Sequence, residues 1–239
     1  GLVGDLFFDS ATRRVVGRPF PDAMVSGPKL WERLRAARPE SRSLAWFTPN
    51  LPGAAVDFGA WVDPRAGLMT TPPELAERLV ARFGPYASPR YLPAGQPLPL
   101  NSIEWILKTS AAMIAEVQPE LALVRVPFLG QVARRFGPDG REASRSVVEL
   151  EKLLRPFLAA LPTSTAVLAA TESVSTPVIA PFYPNLVLRD YGLLELAPAP
   201  GGGLDIDVEA SAAFAVADHQ VCHIYVNDPA AIGVVAAAF

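Results

Sequence analysis

Apolar residues recur at helical spacing in four stretches of this chain. Residues 28–38 place Leu30, Leu34 and Ala37 on one face, and Pro28 after Ser26 and Gly27 is a start signal. Residues 73–83 follow Thr71 and stop at Gly84. Residues 102–117 follow Asn101, carry Glu104 in the first turn and end before Pro119. Residues 142–161 repeat Val147, Leu150, Leu154, Phe157 and Leu161, the period of a half-buried helix, and Pro156 should kink or shorten it.

Between these helices the pattern changes. LALVRV (121–126) and TAVLAAT (165–171) are nearly uniform apolar runs, as expected for strands buried on both faces, and SLAWF (43–47) is a third. Strand, long helix, strand over 121–171 predicts a right-handed βαβ crossover. After the loop PGGG, the segments 204–209, 212–217 and 220–226 read as short, partly antiparallel strands. FYPN (182–185) reads as a turn and a helix start. The fold class is therefore α/β, a layered fold with a mostly parallel central sheet and small antiparallel strands near the C-terminus. Ligands of such sheets gather at the C-terminal ends of the strands. The segments there are PFLGQVARRFGPDG and ESVSTPV. Residues 85–99 hold five prolines and read as a stiff surface connection rather than a lid.

Composition narrows the function classes. A net charge of −3, with scattered basic residues, argues against nucleic acid and anionic membranes as partners. No stretch approaches the roughly 18 apolar residues of a membrane span. The single cysteine, Cys222, allows no internal disulfide and suits a reducing compartment, so a cytoplasmic location is expected. GLVGDLFFD has no basic n-region and reads as a strand entered in mid-stride. DPAAIGVVAAAF stops inside an apolar run. Both ends are expected to be the interior of something larger, and residues 1–239 are expected to form one domain.

RVPFLGQVARRFGPD, followed by helix, strand and TESVSTPVIAPFYPNLVLRDYGLLEL, resembles the type I phosphodiesterase and nucleotide pyrophosphatase branch of the alkaline phosphatase superfamily. GLVGDLFFD and AFAVADHQVCHIYV resemble further segments of that branch, in the same order. The resemblance implies an alkaline phosphatase-like fold. It also implies two metal ions, held by Asp and His, which clamp a phosphoryl group and activate a Thr or Ser nucleophile. Carried over residue by residue, much of that set is replaced. The aspartate of an Asp-x-x-x-His element falls on Gly130 and its histidine on Arg134. The Ser-Asp-His-Gly element falls on Thr171, Glu172, Ser173 and Val174. The nucleophile and first aspartate would precede Gly1, and the last histidine would follow Phe239. Relative to the family, the chain is expected to be incomplete at both ends. A guanidinium at Arg134 repels a dication and suits an anion. The resemblance thus implies a catalytically degenerate protein, a pseudoenzyme with no metal or cofactor of its own. Zinc enters only if further segments supply ligands.

The candidate site residues are Glu172, Arg134 and His219. Glu172 ends an apolar run, where a carboxylate needs a partner, and is the expected main polar anchor. The bland alternatives are a structural ion pair for Glu172 and a solvated surface for Arg134 and Arg135. His219 and His223 stand four apart, with Asp218 and Cys222 beside them. On one strand they would lie about 13 Å apart, too far for one metal, unless a turn intervenes at 218–220. Both are read as hydrogen-bonded near a sheet edge, and Cys222 as a small buried hydrophobe. Three functions remain open. The first is a degenerate protein that binds a small-molecule ligand, anionic or phosphorylated, or performs altered chemistry in the old crevice. The second is a phosphoester hydrolase completed by a second polypeptide. The third is a non-enzymatic interaction module.

Overall fold

The computed structural model describes residues 6–17, 20–63, 65–87, 99–171, 174–199 and 201–239. Its strands are β1 (Leu6–Asp9), β2 (Arg14–Gly17), β3 (Ser43–Trp46), β4 (Phe58–Asp63), β5 (Gly67–Thr71), β6 (Leu121–Val124), β7 (Glu195–Pro198), β8 (Leu204–Asp207), β9 (Ala213–Asp218) and β10 (Val221–Val226). Its α-helices are α1 (Leu30–Ala37), α2 (Leu75–Phe83), α3 (Leu100–Val117), α4 (Leu129–Phe136), α5 (Arg141–Ala159), α6 (Pro184–Asp190) and α7 (Ile232–Ala238). They fall into two compact units: Pro19–Val178, and Gly1–Arg18 with Ile179–Phe239.

The unit Pro19–Val178 is built on a four-stranded sheet of order β5-β4-β3-β6. β3 is parallel to both β4 and β6, and β5 closes the far edge antiparallel to β4. Period-two alternation explains its two faces. Leu44 and Trp46 of β3 point into a core with Ile103, Ile106 and Leu79, whereas Ala45 points the other way, toward Trp31, Leu51 and Val56. Helix α3 therefore fills one face, and Trp31 of α1 covers the other. Trp46 is fully buried, and its indole N–H donates to the Thr109 hydroxyl at 2.9 Å. That bond removes the desolvation penalty an orphan indole N–H would carry at the centre of the core.

The four expected helices are present, and local chemistry sets their ends. Helix α1 begins two residues later than the Pro28 signal, because the Glu32 carboxylate reaches back to the Lys29 N–H at 2.9 Å. Gly84 ends α2 at φ +77°, and Gln118 ends α3 at φ +45°. Helix α5 contains Pro156 and ends at Ala159, before the expected 161. Helix α4 was not anticipated as a separate element.

The strand expected over 165–171 does not form. These residues belong to no helix or strand, and Val167 and Leu168 are 59% and 91% exposed. Apolar patterning signals a need for burial, but a strand also needs a neighbouring edge. Among the described residues β6 pairs only with β3, and α5 packs on α3 and α4 instead of completing a βαβ crossover. Most of the proline-rich stretch expected at 85–99 lies outside the described residues.

In the second unit, three antiparallel pairs form: β1 with β2, β7 with β8, and β9 with β10. Phe8, Phe214 and Tyr225 make an aromatic core, with Tyr225 stacked on Phe214 and Phe8 edge-on to both. The Asn185 side chain bonds both the N–H and the C=O of Ala215, each at 2.8 Å, and so supplies β9 with the partner a strand would give. The helix start read at FYPN is α6, with Pro184 in its first turn. Among the described residues, no helix is long and apolar enough to cross a membrane.

Candidate functional site

The parallel strands β3 and β6 end side by side. Trp46 pairs with Val124, and the next N–H, of Arg125, donates to the Trp46 carbonyl at 2.9 Å. The chain then turns tightly, with the Phe128 N–H on the Val126 carbonyl at 2.9 Å, and enters α4. Phe128 and Val132 are buried and anchor one face of this helix in the core. The opposite face carries Gly130 and Arg134, one turn apart and both exposed. The Nε–H of Arg134 donates to the Gly130 carbonyl at 3.3 Å. A Cβ built on Gly130 meets nothing within 4 Å.

Helix α4 ends at Gly137, at φ +83°, and α5 starts after Gly140. Only glycine fits position 140, since a Cβ there would stand 2.7 Å from the Phe136 carbonyl oxygen. This turn sets Arg134 and Arg135 at the end of one helix and Arg141 and Arg145 at the start of the next. From Arg125 to Arg145 there are five arginines against Asp139 and Glu142, in a chain whose net charge is −3. Arg125, Arg135, Arg141 and Arg145 are exposed and join no ion pair among the described residues. A positive field of unpaired guanidinium groups can bind an oxyanion bidentately. Composition over the whole chain hid this cluster; counting charge in a window after the strand LALVRV would have found it.

Glu172 and Ser173 lie outside the described residues. His219 belongs to the second unit. It lies at the tip of the β9–β10 hairpin, so the turn weighed at 218–220 is present and His219 does not share a strand with His223. Asp218 pairs with Val221, which leaves His219 and Gln220 as a two-residue loop, and His219 adopts the left-handed conformation at φ +55°. Its Nε2 stands 3.6 Å from Oδ1 of Asp218, whose carboxylate is buried while the imidazole is 58% exposed. Burial pushes the Cys222 thiol up from its ordinary pKa, which keeps it from being a ready nucleophile.

A feature the sequence reading missed lies after β3. Phe47 and Asn50 are both left-handed, at φ +55° and +61°. Among the described residues, the buried Thr48 Oγ1 and Asn50 Oδ1 have no hydrogen-bond partner. Applying the strand-end rule to SLAWF as well would have singled out FTPN. By contrast, the groove of about 320 Å³ between α3 and α5 is lined by Leu107, Ala111, Leu153 and Phe157. Its charged rim residues, Glu104 and Lys108, pair with each other at 2.6 Å, so it offers no free charge to a phosphoryl group.

Two of the positions that the resemblance assigns to metal ligands, Gly130 and Arg134, carry no zinc donor. Gly130 has no donor atom and Arg134 is a cation. Among the described residues, no group of three or more His, Cys, Asp or Glu side chains could hold a metal. The family model described as type I phosphodiesterase / nucleotide pyrophosphatase matches residues 1–236. Comparison with the curated proteins finds no match, and neither does comparison with the solved structures.

Proposed function

This chain belongs to the type I phosphodiesterase / nucleotide pyrophosphatase family, a branch of the alkaline phosphatase superfamily, and we propose that it is a catalytically eroded member that binds a small anionic or phosphorylated ligand. The observation that carries this reading is the exposed face of α4. Where the family resemblance calls for an aspartate and a histidine, the helix presents Gly130 and Arg134, with unpaired Arg135, Arg141 and Arg145 around the same turn. Replacing a carboxylate and an imidazole by a gap and a guanidinium turns a cation site into an anion site. On an alkaline phosphatase-like core, Arg134 binds the anion and Glu172 anchors a hydroxyl or amine of the ligand. The protein works in the cytoplasm without a metal of its own.

A second reading has one observation in its favour. Val167 and Leu168, in the uncharged run 165–171, are exposed, as beside a sheet that another polypeptide completes. That polypeptide would supply the nucleophile and remaining metal ligands of a phosphoester hydrolase. Glu172→Gln tests the first reading by keeping the shape and removing the charge. Binding of glycerol phosphate should weaken by more than about tenfold, equivalent to ~1.4 kcal/mol, with the melting temperature unchanged. Unchanged binding with a lowered melting temperature would make Glu172 a structural residue.

A further inference from the structure

We propose that the outer face of α5 is a docking surface for an acidic helix of a partner protein. The inference goes beyond the anion-binding reading and does not depend on it. Burial of Ser146 and Leu150 fixes the inner face of α5. On the opposite face run Arg141, Arg145, Val148, Lys152 and Arg155, all exposed and alternately four and three residues apart. At 3.6 residues per turn they keep within about 80° of arc and extend about 21 Å along the helix. This alternation of four and three is the spacing of a seam along which one helix lies on another.

Charge along α5 is sorted. Its four cations all lie on this line, whereas Glu142 and Glu149 fall to one side of it and Glu151 to the other. Arg141 and Arg145 join no ion pair among the described residues. Lys152 pairs with Glu149 and Arg155 with Glu151, at exposed positions where such bridges hold weakly. Two cations four residues apart repel, and Arg141 stands in the first turn, where the helix dipole also disfavours a cation. Carboxylates laid along the line relieve both costs. The flanking glutamates decide the partner's shape. A bilayer or a nucleic-acid duplex is broad and meets Glu149 and Glu151 together with the cations. A second helix is narrow and meets the line itself. Its seam carries Asp or Glu at the same spacing, with an apolar residue against Val148, which is 49% exposed.

Fluorescence anisotropy of a labelled synthetic peptide tests this docking. The probe is an alanine-based helix with Glu at the outer positions of such a seam and Leu at the central one. A control peptide has the same composition with the Glu and Leu positions scrambled. The wild-type chain should bind the probe at least tenfold more tightly than the control, and less tightly as salt rises. Lys152→Glu combined with Arg155→Glu should weaken probe binding at least tenfold, with an unchanged circular dichroism spectrum. Val148→Glu, a single change at an exposed position, should do the same. Arg134→Ala, which tests the anion site, should leave the probe's affinity unchanged, so the two readings fail separately. Vesicles of phosphatidylserine and phosphatidylcholine should not retain the chain in a flotation assay. Equal affinity for probe and control would overturn the proposal, as would probe binding that these α5 variants leave intact, or retention on the vesicles.

Discussion

The Nε–H of Arg134 donates to the carbonyl of Gly130 one helical turn earlier, so these two positions share one exposed face of α4. This backbone still suits an Asp-x-x-x-His pair, and position 130 has room for a side chain. The double variant Gly130→Asp with Arg134→His should therefore gain a 1:1 zinc-binding signal by calorimetry that the parent lacks. A carboxylate near the start of α4 also favours the helix dipole, so thermal stability should hold or rise slightly. A double variant that folds and binds no more zinc than the parent would show that α4 does not preserve the geometry of a metal site.

The bond between Trp46 and Thr109 ties the centre of the sheet to α3. Thr109→Val keeps the shape but leaves the buried indole N–H without an acceptor. The expected loss is about 1–3 kcal/mol in denaturant unfolding, with an unchanged m-value. A loss below roughly 0.5 kcal/mol would mean that the indole finds another partner.

Asp57 gives the larger unit an acid-sensitive tie. Burial pushes its carboxyl up, but the N–H and hydroxyl of Ser43 and the Arg35 guanidinium outweigh that and hold it below its ordinary range. A carboxyl whose folded pKa is depressed stabilises the protein fully above its unfolded pKa, and that contribution is lost as pH falls through the folded value. The stability gap between wild type and Asp57→Asn should be full at pH 7 and close progressively below about pH 4. A gap independent of pH would show that the carboxylate charge is not what Ser43 and Arg35 hold.

The helices and most strands were legible because period and punctuation act locally. Leu150, Leu154 and Phe157 mark one face of α5 wherever that helix packs, and Gly84 ends α2 through its own backbone freedom. The strand at 165–171 was misread because pairing is a property of two segments, and the apolar run of one does not reveal whether an edge awaits it. The turn at His219 was legible only as an alternative, a break at 218–220 between two strands, because the two residues of the loop carry no glycine or asparagine to announce a hairpin. At the candidate site, Gly130 and Arg134 were readable from the resemblance. The arginine cluster around them emerged only when the turn at 137–140 joined the end of α4 to the start of α5.

Titration with inorganic pyrophosphate, following dialysis against a chelator and repeated with zinc added, tests the central claim most directly. Binding should occur without metal and be unchanged by zinc. It should weaken at least tenfold in Arg134→Ala, a loss of about 1.4 kcal/mol. Binding that appears only with zinc, accompanied by zinc-dependent hydrolysis of bis(4-nitrophenyl) phosphate and indifferent to Arg134→Ala, would contradict it.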